Sequence, residues 1–306
     1  MRYLSSAVII MLLLAVGFCV CPISARAQSG ISVWPTSVEL TVNRGEQAGK
    51  TIHVQNQGSE AIAVMTYAMD FSSDKEGAFI FAEPGYGGYS ASKWFSMETT
   101  DFELAPGEIK EVEVVISVPE QVEPGGHYAA LFFEAVPLAN QGAVLISTRI
   151  PSIFFITVPG ITEADINANA EIVSLQLPKI ANRGPMDVVV VVRNSGNVHL
   201  TVAARAHFAA PWGNSSELDL GQMVILPNSD GVLRGELQRL PFVGKVRASV
   251  VIGYLDQNGE LVNKSQTAEF WVVPWSFVGI ILFVMGVVVP AIVIIRGRFR
   301  LRLERK

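Results

Sequence analysis

Four histidines, three closely spaced acids and two tyrosines are the residues of this sequence whose types could do chemistry. The histidines are His53, His127, His199 and His207. No two of them stand at zinc-ligand spacing, and no cysteine lies near them to complete a set. Asp70, Asp74 and Glu76 sit in the stretch Asp70-Phe71-Ser72-Ser73-Asp74-Lys75-Glu76-Gly77. Such oxygens suit Ca²⁺, but the spacing is not that of an EF-hand loop, so a solvated turn is expected. The sequence holds no glycine-rich phosphate loop and no nucleophile elbow. The expectation is therefore a protein that is not an enzyme, with no catalytic residue, no metal ligand and no cofactor.

Candidate contact residues are easier to find. The loop Glu83-Pro84-Gly85-Tyr86-Gly87-Gly88-Tyr89-Ser90 offers Tyr86 and Tyr89, whose rings give amphipathic contact area at little entropic cost. Leu131 and Phe133 oppose Phe132 in a strand that is apolar on both faces. The segment from Val144 to Val158 has the same character and contains Pro151, which cannot donate to a ladder and so suits an edge or a bulge. Two such strands are either covered by a second domain or leave an edge for a partner strand. In the second case, crosslinkers at Ser147 and Ser152 would reach that partner.

The elements that must carry these residues follow from hydropathy. The 306-residue chain is 50% hydrophobic and 17% charged, so the location of the apolar excess decides its class. Arg2, an apolar run from Ala7 to Val20, and Ala25-Arg26-Ala27 form the three parts of a secretory signal peptide, residues 1–27. Both cysteines, Cys19 and Cys21, lie inside it, so the exported part has none. A second uncharged run, Trp275 to Ile295, would rise roughly 31 Å as a helix, enough to span a bilayer. Trp271 and Trp275 stand at its outer end, and a basic tail, residues 297–306, follows Arg296. By the positive-inside rule the tail is cytoplasmic, which makes the chain a single-pass cell-membrane protein with its N-terminal domains outside. Pro290 is expected to kink the span, taken as residues 274–296. Between leader and span lie 15 basic and 27 acidic residues. That balance excludes a nucleic-acid partner.

Residues 28–273 read as strands and turns. Val112, Val114, Ile116 and Val118 alternate with Glu111, Glu113 and Ser117, the period of a half-buried strand. Pro106-Gly107, Pro124-Gly125-Gly126 and Pro159-Gly160 punctuate the chain, and Asn258-Gly259 is a hairpin signal. Short strands at this spacing predict an all-β protein of two immunoglobulin-like β-sandwiches, residues 28–160 and 161–273, followed by the C-terminal transmembrane helix.

The order of Ile31-Ser32-Val33-Trp34-Pro35-Thr36, the strand Thr51–Gln55 with Asn56, the Leu104-Ala105-Pro106-Gly107-Glu108 turn and Pro124-Gly125-Gly126-His127-Tyr128 resembles the first domain of the WxL-interacting proteins of bacterial surfaces. More distantly it resembles periplasmic pilus chaperones. Asn194-Ser195-Gly196-Asn197-Val198-His199 is similar to a turn of related modules. The resemblance implies immunoglobulin-like domains, peptidoglycan contact by the first and a WxL-carrying protein partner for the second. No WxL tripeptide occurs here, which would make this the interacting member. The basic cleft residues of pilus chaperones find no match. The expected function is that of a tethered binding protein engaging a surface or secreted protein, or the cell wall. The alternative is a chaperone-like module holding partner subunits by β-strand addition.

Overall fold

The computed structural model describes residues 30–138, 147–182, 184–210, 213, 215–238, 240 and 243–303. The proposed signal peptide and Val144, Leu145 and Ile146 lie outside them. Apart from two short 3₁₀ turns, the described chain before residue 275 consists of strands and their connections.

Ten strands make up the first half. They are Ile31–Trp34 (β1), Ser37–Thr41 (β2), Gln47–Asn56 (β3), Ile62–Ser73 (β4), Phe79–Ala82 (β5), Phe95–Met97 (β6), Asp101–Leu104 (β7), Ile109–Ser117 (β8), Gly125–Pro137 (β9) and Thr148–Val158 (β10). Eight follow: Ala170–Gln176 (β11), Ile180–Ala181 (β12), Met186–Asn194 (β13), Leu200–Ala209 (β14), Ser215–Ile225 (β15), Asp230–Leu237 (β16), Gly244–Leu255 (β17) and Leu261–Val272 (β18).

The two halves repeat one topology. In the first, a sheet β1-β3-β8-β6 faces a sheet β2-β10-β9-β4-β5. In the second, β11-β13-β16 faces β12-β18-β17-β14-β15. In both, a short second strand lies parallel to the last strand, β2 on β10 and β12 on β18. The alternation in β8 gives the reason for a two-layer fold: Val112, Val114, Ile116 and Val118 are buried while Glu111 and Glu113 face water. They meet Leu131, Phe133, Phe154 and Ile156 of the opposite sheet in one apolar cluster. Val188, Val190, Phe208, Val250 and Phe270 are among those that fill a second cluster in the other half.

The same buried corner recurs in each half. Asn56 ends β3, its Nδ2 donating to the carbonyls of Glu60 and Leu104 while its Oδ1 accepts from the Gly58 amide. Asn194 ends β13 and does the same with Val198, Ile225 and the Gly196 amide. Both asparagines are wholly buried. An Asn-x-Gly triplet at a strand end thus closes each half by tying three backbone groups that would otherwise be unpaired.

A third apolar cluster joins the halves. Phe71, Tyr128, Phe132, Ile153 and Phe155, on the outer face of the β4–β9–β10 layer, pack with Leu226 from the second half. Backbone bonds cross the same seam, from the Gly126 amide to the Asn197 carbonyl (2.7 Å) and from the Val232 amide to the Lys75 carbonyl (2.7 Å).

The chain ends in a helix over Trp275–Phe283, a π-turn over Val284–Val288, and a helix over Val289–Leu303. The π-turn ends two residues before Pro290, whose missing N–H and ring disturb the helical ladder over the preceding turn. Within Trp275–Arg296 an 18-residue stretch has a mean hydropathy of 3.1, and none of that stretch is buried against the rest of the protein.

Candidate functional site

The two-sided apolar strand β9 is the floor from which the site is built. Leu131 and Phe133 are fully buried and point into the first core, while Phe132 points to the opposite face. The expected contact residues Leu131 and Phe133 are therefore core residues that no partner can touch. Both faces of β9 are apolar because one lines the core of the first half and the other receives the second half, the covered alternative of the sequence reading.

The edge beside β9 is partly covered and partly free. β2 pairs with β10 from Ile153 to Thr157, and the Ile153 amide donates to the Thr36 carbonyl at 2.9 Å. Before that point β1 has left this sheet to pair with β3. Among the described residues, nothing pairs with the outer side of β10 from Thr148 to Ser152. Strand parity follows from the Ile153 amide: Arg149 and Pro151 present their backbone groups to the free side, while Thr148, Ile150 and Ser152 present theirs to β9. Pro151 therefore sacrifices no bond to β9, as its expected edge placement requires. The free edge offers the Arg149 amide and carbonyl and the Pro151 carbonyl.

Ser152 departs from the sequence expectation. It is completely buried, and its hydroxyl donates to the Pro35 carbonyl at 2.7 Å, fixing the point where the chain passes from β1 to β2. A crosslinker placed there would face the protein's own interior. Ser147 is exposed and donates to Glu134 at 2.7 Å. Glu134 also accepts from Tyr67 (3.0 Å), and Arg149 donates to the Tyr67 hydroxyl (3.3 Å) while lying over the Phe132 ring. The hydroxyls of Ser147 and Tyr67 hold the Glu134 carboxyl below its ordinary range. The bond to Tyr67 raises the Arg149 guanidinium. This cross-strand pair, Arg149 opposite Glu134, was not anticipated; the only sequence signal is one charge of each sign in two otherwise apolar strands.

The tyrosine loop is divided between two roles. Tyr86 is 67% exposed. Tyr89 is half-buried at the seam, packed on Tyr128 and accepting a 2.8 Å bond from Asn228 of the second half. The loop is shaped by Asp70, which accepts from the amides of Gly85 (2.5 Å), Tyr86 (2.9 Å) and Ser92 (3.0 Å) and from the Ser90 hydroxyl (2.7 Å). Burial pushes the Asp70 carboxyl up, but these donors outweigh it and hold it below the usual carboxylate range. Asp74 instead caps its own turn through the Ala78 amide, and Glu76 pairs with Arg234 of the second half at 3.0 Å. The three acids thus serve three separate tasks, and no group able to hold a metal ion occurs among the described residues.

The histidines are likewise dispersed. His53 stacks on Trp34, and His207 lies 3.5 Å from Glu217 on an exposed strand face. His127 is buried beside Trp94, with Nε2 at 3.0 Å from the Glu123 carbonyl. His199 lies at the seam against Phe155 and Tyr128, its Nδ1 buried without a partner. Burial lowers the pKa of both His127 and His199.

No protein-family model matches the chain, and no curated protein does either, so the resemblance to the WxL-interacting proteins gains no such match. Among solved structures, the YadV chaperone is 13% identical, with 78% of this chain and 99% of that one aligned at a TM-score of 0.42. The CsuC–CsuE chaperone–tip adhesion subunit complex of Acinetobacter baumannii gives 13% identity, 80% and 100% coverage and 0.42. The class 5 fimbriae chaperone CfaA gives 14%, 80%, 100% and 0.39. No property of those proteins transfers at this degree of likeness.

Proposed function

We propose that this chain is a non-enzymatic, membrane-tethered module of two immunoglobulin-like sandwiches that holds an extracytoplasmic protein by strand addition. The observation that carries the reading is the free edge of β10 over Thr148–Ser152, left where β1 departs for the opposite sheet. An unpaired edge is a template for another strand. Arg149 and Pro151 keep it from pairing indiscriminately, and the exposed Arg149 gives an incoming strand a cationic neighbour. A second edge, β18 from Leu261 to Phe270, is guarded by the half-buried Lys264, whose ammonium is held by Asn169 at 2.6 Å. The helix Trp275–Arg296 supplies the tether, with the tail in the cytoplasm. Of the two functions the sequence suggests, this is the subunit-holding one; nothing in the geometry singles out a cell-wall ligand.

A photo-crosslinking amino acid at Arg149 of the full-length chain in its native cells tests the reading. A discrete heterologous adduct is expected, absent when the probe stands at Ser265. Equal labelling from both positions would overturn it.

A further inference from the structure

We infer that the second sandwich is docked on the bilayer by the row Ile180–Trp271–Lys245, a lipid-facing foot that sets the inclination of both sandwiches above the membrane. The inference rests on the reading of Trp275–Arg296 as a span. Ile180 stands opposite Trp271, and Trp271 opposite Lys245, so the three side chains lie side by side on the outer face of one sheet. Ile180 is 59% exposed and Trp271 52%, although their neighbours one residue on, Ala181 and Val272, are buried in the core. Val243, just before β17, is exposed as well.

The strand end carrying this row joins the helix almost directly. Only Val273 and Pro274 separate β18 from Trp275. The connection is tied rather than loose: the Trp271 amide donates to Lys179, the Val273 amide to Ala181 and the Phe277 amide to Pro274. Four residues of fully extended chain reach at most about 14 Å, so Trp271 stands within reach of the headgroup layer when Trp275 enters the hydrocarbon. An indole, a branched aliphatic chain and an ammonium are the side chains that such a layer favours.

Charge decides which side of the sandwich leans down. Lys245 and Arg247 stand on the outer side of β17, where Glu269 bridges them at 2.5 Å and 3.6 Å. At the same end of the opposite sheet, Asp187 faces Glu236, both exposed. Headgroup phosphates attract the first side and repel the second.

The test uses the full-length chain, with Cys19 and Cys21 replaced by alanine, in vesicles of phosphatidylcholine and phosphatidylglycerol. The environment-sensitive dye NBD is attached in turn to Ile180→Cys, Glu236→Cys and Met285→Cys. At Ile180 the emission should shift to the blue, iodide quenching should be about threefold weaker than at Glu236, and a headgroup-level nitroxide lipid should quench it. Equal iodide quenching at Ile180 and Glu236, with Met285 protected, would overturn the foot and leave the span standing. Iodide access to Met285 would remove the span and the foot together.

Discussion

Replacing Asp70 with asparagine keeps the shape of a side chain that organises the loop between β5 and Ser92 and removes its charge. The carboxylate takes three donors on Oδ2, from Gly85, Tyr86 and Ser90, and one on Oδ1, from Ser92. The amide keeps the three donors if its oxygen takes the Oδ2 place, and its NH₂ then opposes the Ser92 amide. Three charge-assisted bonds become neutral ones, at about 1 kcal/mol each, and one buried donor is left unpaired, at about 1–2 kcal/mol. The expected loss is therefore about 4 kcal/mol, or on the order of 10 °C in the melting of the first half. Asp74→Asn is the control, because Asp74 is in an exposed turn and accepts a single amide from that turn, Ala78. Thermal unfolding by near-ultraviolet circular dichroism at neutral pH reads the difference, and limited proteolysis between Glu83 and Ser90 reads where it acts. The sign with pH is fixed by linkage. A carboxyl held below its usual range contributes stability that is present above the unfolded value near 3.9 and is lost as pH falls through the lower folded value. Wild type should lose this increment in acid and Asp70→Asn should have none to lose. Asp70→Asn melting no lower than Asp74→Asn would refute the role assigned to Asp70.

Asn194→Ala should destabilise the second half by about 3 kcal/mol, and Asn56→Ala the first by a similar amount, since each leaves two carbonyls and one amide unpaired in the core; urea unfolding with separate probes for the two halves measures both. His199 stays neutral in the folded seam while the unfolded chain takes up a proton near pH 6.5, so stability is present above that value and is lost as pH falls toward the lowered folded pKa. His199→Leu should reduce the loss between pH 7 and 5, measured as the slope of melting temperature against pH, with His127 supplying the remainder. A Cβ on Gly126 would stand 2.0 Å from the Tyr128 hydroxyl oxygen, so Gly126→Ala should loosen the seam by 2 kcal/mol or so and raise exchange of the amide that Asn197 accepts.

The strand pattern was legible wherever one face of a strand meets water. Val112 to Val118 alternate in the sequence and alternate in burial, because β8 has core on one side only. Asn258-Gly259 marked a real hairpin, closed as a connection of five residues on Asp256, which accepts from Asn258 and Glu260. Where both faces are apolar, as in β9, periodicity identifies a buried strand but not which face looks where, so Leu131 and Phe133 were read as contact residues. Ser152 and Asp70 misled for a different reason. Their partners, Pro35 at one end and Gly85, Ser90 and Ser92 at the other, are distant in sequence, and a hydroxyl in an apolar strand or an acid near two others reads as surface until those partners are placed. The free stretch of β10 depends on where β2 stops pairing, a matter of register that no local pattern encodes.

Arg149 carries the one outward amide on the free edge between Thr148 and Ser152, and its position faces away from β9 just as that of Pro151 does. Arg149→Pro therefore removes the donor an added strand would use while leaving every bond between β9 and β10 in place. The most direct measurement is recovery of the crosslinked or co-purified partner from native cells carrying Arg149→Pro, set against Arg149→Ala, which keeps the amide. The strand-addition account predicts that the proline variant folds, melts close to the alanine variant and loses at least about fivefold of the partner relative to it, the equivalent of one backbone bond. A folded proline variant that holds its partner as well as the alanine variant would contradict it.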